Sequence, residues 1–187
     1  MKILNKLKKI NTNFLVASSA VFISACALFI SVQEVRIMRT QQKASMYPYL
    51  TTGKSYTSKG FGIQLKNSGN GLARINSYQI YNDSIYFKDW FDVLQTLAPD
   101  VKDINYSVIS TDGNIRDKMI SPGEEVNIIF LSWTPETRKL EEVFSTVNVK
   151  VSYSSLLDEH WTVEQGIPYE IKKIPALEPE KEFEYTN

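Results

Sequence analysis

Cysteine is almost missing from this chain: there is one in 187 residues, Cys26, and it lies inside an apolar run. Residues 44–187 therefore have no means of forming a disulfide, a thiolate zinc site or a cysteine nucleophile. Histidine is as scarce. His160 is the sole one, which excludes zinc sets built on two histidines. The motifs that carry common chemistry are absent too. There is no G-x-S-x-G elbow, no phosphate-cradling G-x-x-x-x-G-K-[ST] loop, no G-x-G-x-x-G turn and no D-x-D-x-D-G calcium loop. No cofactor and no metal is expected. Positive charge is also lacking where nucleic acid would need it. Residues 44–187 hold 14 basic and 20 acidic side chains, a net charge of −6, the opposite of a basic stripe for phosphate.

What is present begins with Phe14–Val32, FLVASSAVFISACALFISV, nineteen residues without a charge or a proline. At about 1.5 Å per residue a helix of this length matches a hydrocarbon core of ~30 Å. Its serines, Ser18, Ser19, Ser24 and Ser31, are tolerable because a helical hydroxyl bonds back to a carbonyl one turn earlier. The run is read as an uncleaved single-pass anchor. Two rivals exist: Ile23-Ser24-Ala25-Cys26 has the outline of a lipoprotein box, and a lysine-rich start followed by apolar sequence also describes a cleaved secretion signal. Against both, the apolar run continues past Cys26 to Val32 and then enters helix-forming sequence. Lys2, Lys6, Lys8 and Lys9 favour a cytoplasmic N-terminus and an extracytoplasmic domain, in an inner or cytoplasmic membrane. Beyond the anchor, Gln33–Met46 lacks glycine and proline and favours continued helix. Arg36, Arg39 and Lys43 fall at i, i+3 and i+7, one face suited to the lipid headgroups. The organisation expected is a basic tail over 1–13, a span over 14–32, a juxtamembrane helix over 33–47, a β-domain over 48–174 and a frayed acidic tail over 175–187.

From Pro48 onward the pattern changes to short strands. Strands are expected over Tyr49–Tyr56, over a second run in which Phe61, Ile63 and Leu65 alternate with polar residues, and over Leu72–Tyr81, where a slip between Ile75 and Tyr78 predicts a bulge. Asn67-Ser68-Gly69-Asn70-Gly71 predicts a hairpin turn using positive φ. Lys88–Leu97 switches to helical spacing through Trp90, Phe91, Leu94 and Leu97, closed by Pro99. Further strands are expected over Ile104–Ser110, with a hairpin turn at Asp112-Gly113, and over Val126–Trp133, buried on both faces. Thr134-Pro135-Glu136 opens a second helix reaching about Phe144. Val147, Val149, Val151 and Tyr153 then mark a strand with one wet face, followed by a hairpin partner at His160–Gln165 and an edge segment at Tyr169–Ile174.

The fold class this predicts is mainly β: a transmembrane helix followed by a β-sandwich with one or two short helical insertions. Asn67-Ser68-Gly69-Asn70-Gly71-Leu72-Ala73-Arg74-Ile75, with Ile120-Ser121-Pro122-Gly123-Glu124 downstream, resembles the turn pattern of bacterial immunoglobulin-like, adhesion-type domains. The whole chain is similar to bacterial single-span membrane proteins with such a domain outside the membrane. The resemblance implies an immunoglobulin-like fold and an address, and no catalytic residue.

Candidate sites are few. His160 stands beside Asp158 and Glu159, but strand neighbours point to opposite faces. Asp83, Asp89, Asp92, Asp100 and Asp103 crowd the first short helix as solvated charge. Trp90 and Phe91 are adjacent, so one helix face cannot bury both, and the pair is the expected partner surface. The function expected is a membrane-tethered, non-enzymatic module that contacts the bilayer and a protein partner. A carbohydrate- or wall-binding module and an anchored hydrolase using carboxylates are the alternatives.

Overall fold

The computed structural model describes residues 12–101 and 109–184. Lys2, Lys6, Lys8, Lys9, Asp103 and most of the strand expected over Ile104–Ser110 lie outside those residues. The chain divides into two compact units, residues 1–44 and 45–187. The first is one helix, α1 (Thr12–Ser45), long and apolar enough to cross a membrane by length and composition. Three of its four expected back-bonds are present: the Ser18 and Ser19 hydroxyls donate to the Leu15 carbonyl and Ser24 to Ala20. Arg36, Arg39 and Lys43 are exposed along it.

The second unit is mostly β, with elements β1 (Leu50–Tyr56), β2 (Gly60–Asn67), β3 (Ala73–Asn82), β4 (Ile85–Phe87), α2 (Trp90–Leu97), β5 (Ile109–Ser110), β6 (Met119–Ile120), β7 (Glu125–Ser132), α3 (Pro135–Thr146), β8 (Asn148–Ser154), β9 (His160–Glu164) and β10 (Ile167–Ile171). They form two antiparallel sheets, β1-β2-β7-β5 and β10-β9-β8-β3-β4, with β6 also on β3. The core faces of both sheets meet in one cluster that includes Leu50, Ile63, Leu65, Ile75, Ile80, Leu131, Val151 and Tyr153. Each such side chain contributes about 1.5–3 kcal/mol on burial. α2 and α3 close over it, Trp90 stacking on Phe144 at 5.6 Å.

Several expectations change form. The apolar run of β7 is not buried on both faces. The β2–β7 register shifts between Ile63 and Gln64, so Ile128 is an extra residue, and Asn127 and Phe130 point away from the core, half-buried. A bulge thus mimics a continuous apolar run. The slip in β3 is a bulge as expected, between Ile75 and Ser77. The face of β8 expected to be wet is dry at one end: Ser152 and Ser154 are buried. Asp112-Gly113 does not close a hairpin, because β5 pairs with β7 whereas β6 pairs with β3 in the other sheet.

The glycine-rich segment after β2 is also a crossing between sheets rather than a hairpin. Its glycines are needed for close approach and not for positive φ. A Cβ on Gly71 would sit 1.8 Å from the Met46 carbonyl oxygen, and one on Gly69 2.3 Å from that of Tyr47. The segment grips residues 46–49 by backbone bonds: Asn70 and Gly71 donate to the Tyr47 carbonyl, and Ser68 to that of Tyr49. Asn67 organises it. The side chain is 0% exposed; its Oδ1 accepts from the backbone N–H groups of Tyr49 (3.2 Å) and Gly69 (3.0 Å), and its Nδ2 donates to the carbonyls of Gly71 (2.8 Å) and Ile120 (3.0 Å). Its backbone pairs with Gly123 and Glu124 in the turn between β6 and β7. One amide thus uses both donors and both lone pairs, joining the segment before β1, the crossing and β6.

Leaving these buried groups unpaired costs more than the net value of the bonds. Asn67→Ala is expected to destabilise the domain by about 3 kcal/mol, lowering Tm on the order of 10 °C, measured by thermal unfolding of the full chain in detergent.

Candidate functional site

The six-stranded sheet turns one face to the core and the other outward. The pairings Tyr81↔Tyr86, Gln79↔Lys150, Lys150↔Glu164, Ser152↔Thr162 and Thr162↔Tyr169 place all of these side chains on the outer face. At its centre is the Glu164 carboxylate. The Tyr81 hydroxyl donates to one oxygen, the Tyr169 hydroxyl to the other at 3.4 Å, and the Lys150 ammonium stands 3.6 Å away. Ser152 and Thr162 share a buried hydroxyl–hydroxyl bond of 3.0 Å beneath them. The Tyr81 and Tyr86 rings stack at 5.5 Å, and the Lys181 ammonium lies 5.4 Å from the centre of the Tyr86 ring. Burial, and then donation to Glu164, raise the Tyr81 phenol well above its ordinary pKa, so it is a constant donor near neutral pH. The arrangement is a polar, aromatic surface whose side chains are held by one another.

A second feature lies along the free edge of β3. The bulge at Asn76 interrupts that edge between β6, which pairs with Ala73 and Arg74, and β4, which pairs from Ile80 onward. The acidic tail expected to be frayed fills the gap. Glu182 and Phe183 are each 1% exposed. The Phe183 N–H donates to the Tyr78 carbonyl, and the Tyr78 N–H donates to the Glu182 carboxylate at 2.9 Å. The Ser77 hydroxyl (2.6 Å) and the Gln79 amide (3.1 Å) also donate to that carboxylate, and the Arg116 guanidinium stands 4.0 Å from it. Phe183 packs edge-on against Tyr78 and Trp90. Sequence reasoning missed this site because prolines and acidic residues are the composition of a frayed end. Its one signal was Phe183, an aromatic residue set between glutamates.

The sequence candidates separate. Trp90 is 7% exposed and Phe91 52%. A helix turns about 100° per residue, so Trp90, Val93 and Leu94 share the buried stripe while Phe91 falls outside it. Trp90 is therefore a core residue, which corrects its assignment to a partner surface. Two of the aspartates near α2 serve its N-terminus: Asp89 caps it by accepting from the Asp92 N–H, and Asp92 accepts from the Lys88 N–H. His160 has no carboxylate bonded to it among the described residues; Asp158 instead approaches Arg74 at 3.9 Å. No group of three His, Cys, Asp or Glu side chains able to hold a metal ion occurs among the described residues.

A family model described as a domain of unknown function (DUF8453) matches residues 13–185. The chain belongs to the DUF8453 family. The match takes in both the long helix and the docked tail. No curated protein and no solved structure matches the chain.

Two outcomes follow. Trp90→Ala is expected to cost about 3–5 kcal/mol in chemical denaturation, whereas Phe91→Ala shifts stability by no more than about 0.5 kcal/mol. Burial, then the Asp89 carboxylate, raise the Glu184 pKa against the pull of Lys118. The folded chain thus holds that proton more tightly than the unfolded one, and this contribution to stability falls as pH rises through the raised value. Glu184→Gln should raise Tm at pH 7, with the gain vanishing below the ordinary carboxyl range in a Tm-against-pH series.

Proposed function

We propose that this DUF8453 chain is a single-pass, membrane-tethered, non-enzymatic module that binds a partner protein through the outer face of its six-stranded sheet. In this reading residues 14–32 span an inner or cytoplasmic membrane with the N-terminus in the cytoplasm. The two sheets are then an extracytoplasmic, immunoglobulin-like sandwich, as in the bacterial single-span proteins the sequence resembles. Support for the tether comes from α1. Its 34 residues rise about 51 Å, some 20 Å more than a hydrocarbon core requires. The excess, Gln33–Ser45, serves as a spacer whose Arg36, Arg39 and Lys43 suit anionic headgroups. Confinement to a membrane raises effective concentration, so a modest interface suffices.

The observation that carries the binding surface is the mutual fixing of Tyr81, Tyr169, Lys150 and Glu164 on a solvent-facing sheet. Side chains already held lose little freedom when a partner arrives. Tyrosine gives large contact area with few rotatable bonds. A second reading, a carbohydrate- or wall-binding module, is favoured by the stacked Tyr81–Tyr86 pair with Gln79 in the neighbouring row.

The test is photo-crosslinking in cells from a reactive residue at position 169. A discrete adduct with one membrane protein, retained in carbonate-washed membranes, is expected. In Tyr86→Ala/Tyr169→Ala chains, crosslinked from position 79, the adduct should fall roughly 5- to 30-fold, as loss of interface aromatics implies, with Tm little changed. An unchanged adduct overturns the surface, and competition by cell-wall saccharide selects the second reading.

A further inference from the structure

The gap in the edge of β3 has the parts of a peptide-recognition site. One pocket reads a carboxylate, through the Ser77 hydroxyl, the Tyr78 N–H, the Gln79 amide and the Arg116 guanidinium. The next reads an aromatic ring, between Tyr78 and Trp90. A backbone clamp holds what lies between and beyond: the Phe183 N–H donates to Tyr78, the Glu184 N–H donates to Lys88, and the Asn114 amide and Arg116 guanidinium donate to the Glu184 carbonyl. The tail is held in a turned conformation, with Glu184 at φ 50°, by one main-chain bond to β3 and one to Lys88, so most of its selectivity comes from the side-chain pockets.

What fills it is joined to the sheet by residues 172–181, a connector with two prolines, Pro175 and Pro179, and mostly exposed side chains. The connector makes a local bond and an ion pair between Lys181 and Glu178, and Lys181 reaches the Tyr86 ring. The tail is thus a short ligand on a tether. Fully extended, ten residues reach on the order of 35 Å, far enough to leave one domain and enter another.

We propose that this cleft is a docking site for a short Glu-aromatic peptide, and that its second occupant is the tail of another copy of this chain. Two chains then exchange residues 182–184 reciprocally, each completing the other's β3 edge. The charge match between Arg116 and Glu182 and the fit of Phe183 are the same whichever copy supplies them, so exchange changes only the connector's path. The proposal rests on the docking geometry: Gln79 and Tyr86 of the outer sheet face border the cleft and its connector, whereas Tyr81, Lys150, Glu164 and Tyr169 take no part in it.

The experiment uses the full chain carrying Cys26→Ala. Lys88→Cys is placed on one tagged copy and Glu184→Cys on a second, differently tagged copy; the two are co-expressed and oxidised in native membranes and in detergent. The Glu184 N–H bond to the Lys88 carbonyl puts these positions side by side only when the tail is docked. A disulfide-linked dimer bearing both tags is expected, falling roughly tenfold or more when the Glu184→Cys copy also carries Phe183→Ala, the loss of a buried aromatic anchor. Placing both substitutions on one chain is the companion measurement. If that chain closes quantitatively into an internal disulfide while the mixed pair yields no dimer, the tail is fixed in its own domain and the proposal fails. A dimer insensitive to Phe183→Ala fails it as well. Neither result bears on crosslinking from position 169.

Discussion

The β-domain depends on one buried amide. Every strand end that meets at Asn67 carries backbone groups with no water within reach, and burying an amide-like group unpaired costs roughly 1–3 kcal/mol by mutational measures. Asn67 answers four such groups at once, from Tyr49, Gly69, Gly71 and Ile120. They come from the segment before β1, from the crossing between the sheets and from β6. Hydrophobic burial drives the sheets together but is non-directional; the amide is directional, and so selects which ends meet. The bare backbones of Gly69 and Gly71 are the matching condition, since a methyl group at either would collide with residues 46–49.

A similar economy governs the edges. Exposed sheet edges invite pairing with other chains, and the edge of β3 is covered piecewise: by β6 at one end, by β4 at the other, and by the tail where the bulge at Asn76 leaves a step. Glu182 there behaves as a substitute strand, its two oxygens taking donors from Ser77, Tyr78 and Gln79. A buried carboxylate is costly unless every lone pair is met, and here hydroxyl, amide, main chain and guanidinium share it. A second carboxylate, Glu164, is satisfied by two phenols and a lysine. Both sites use an acid as the hub of several donors from different elements, one under cover and one open to solvent.

How much of this could be read beforehand follows from the range of the forces involved. The long helix, the strands with clean alternation and both short helices were legible, because period and capping are local. Asp89 and Thr134 announce helix starts by their own chemistry. The bulge in β3 was visible as a broken alternation. Sheet membership was not: a turn at Asn67–Gly71 or Asp112-Gly113 looks the same whether the next strand stays in its sheet or crosses to the other. The apolar run of β7 misled for the same reason, since a bulge and a doubly buried strand leave one pattern. The aromatic face was illegible because Tyr81, Tyr86 and Tyr169 come from three strands, and residue counts do not say which way a ring points. The tail failed by composition, its partners lying about a hundred residues away.

That separation has a bearing on biogenesis. Ser77 waits for an acceptor 105 residues downstream, so as the polypeptide is synthesised the step at the β3 bulge, between β6 and β4, stays uncovered until nearly all of the domain has emerged. Closure of that step belongs to the end of folding, when the loop to be closed is longest and its entropy cost highest. Nascent molecules made side by side would meet with that step open, which makes the moment of synthesis the time at which segments are most readily shared between them.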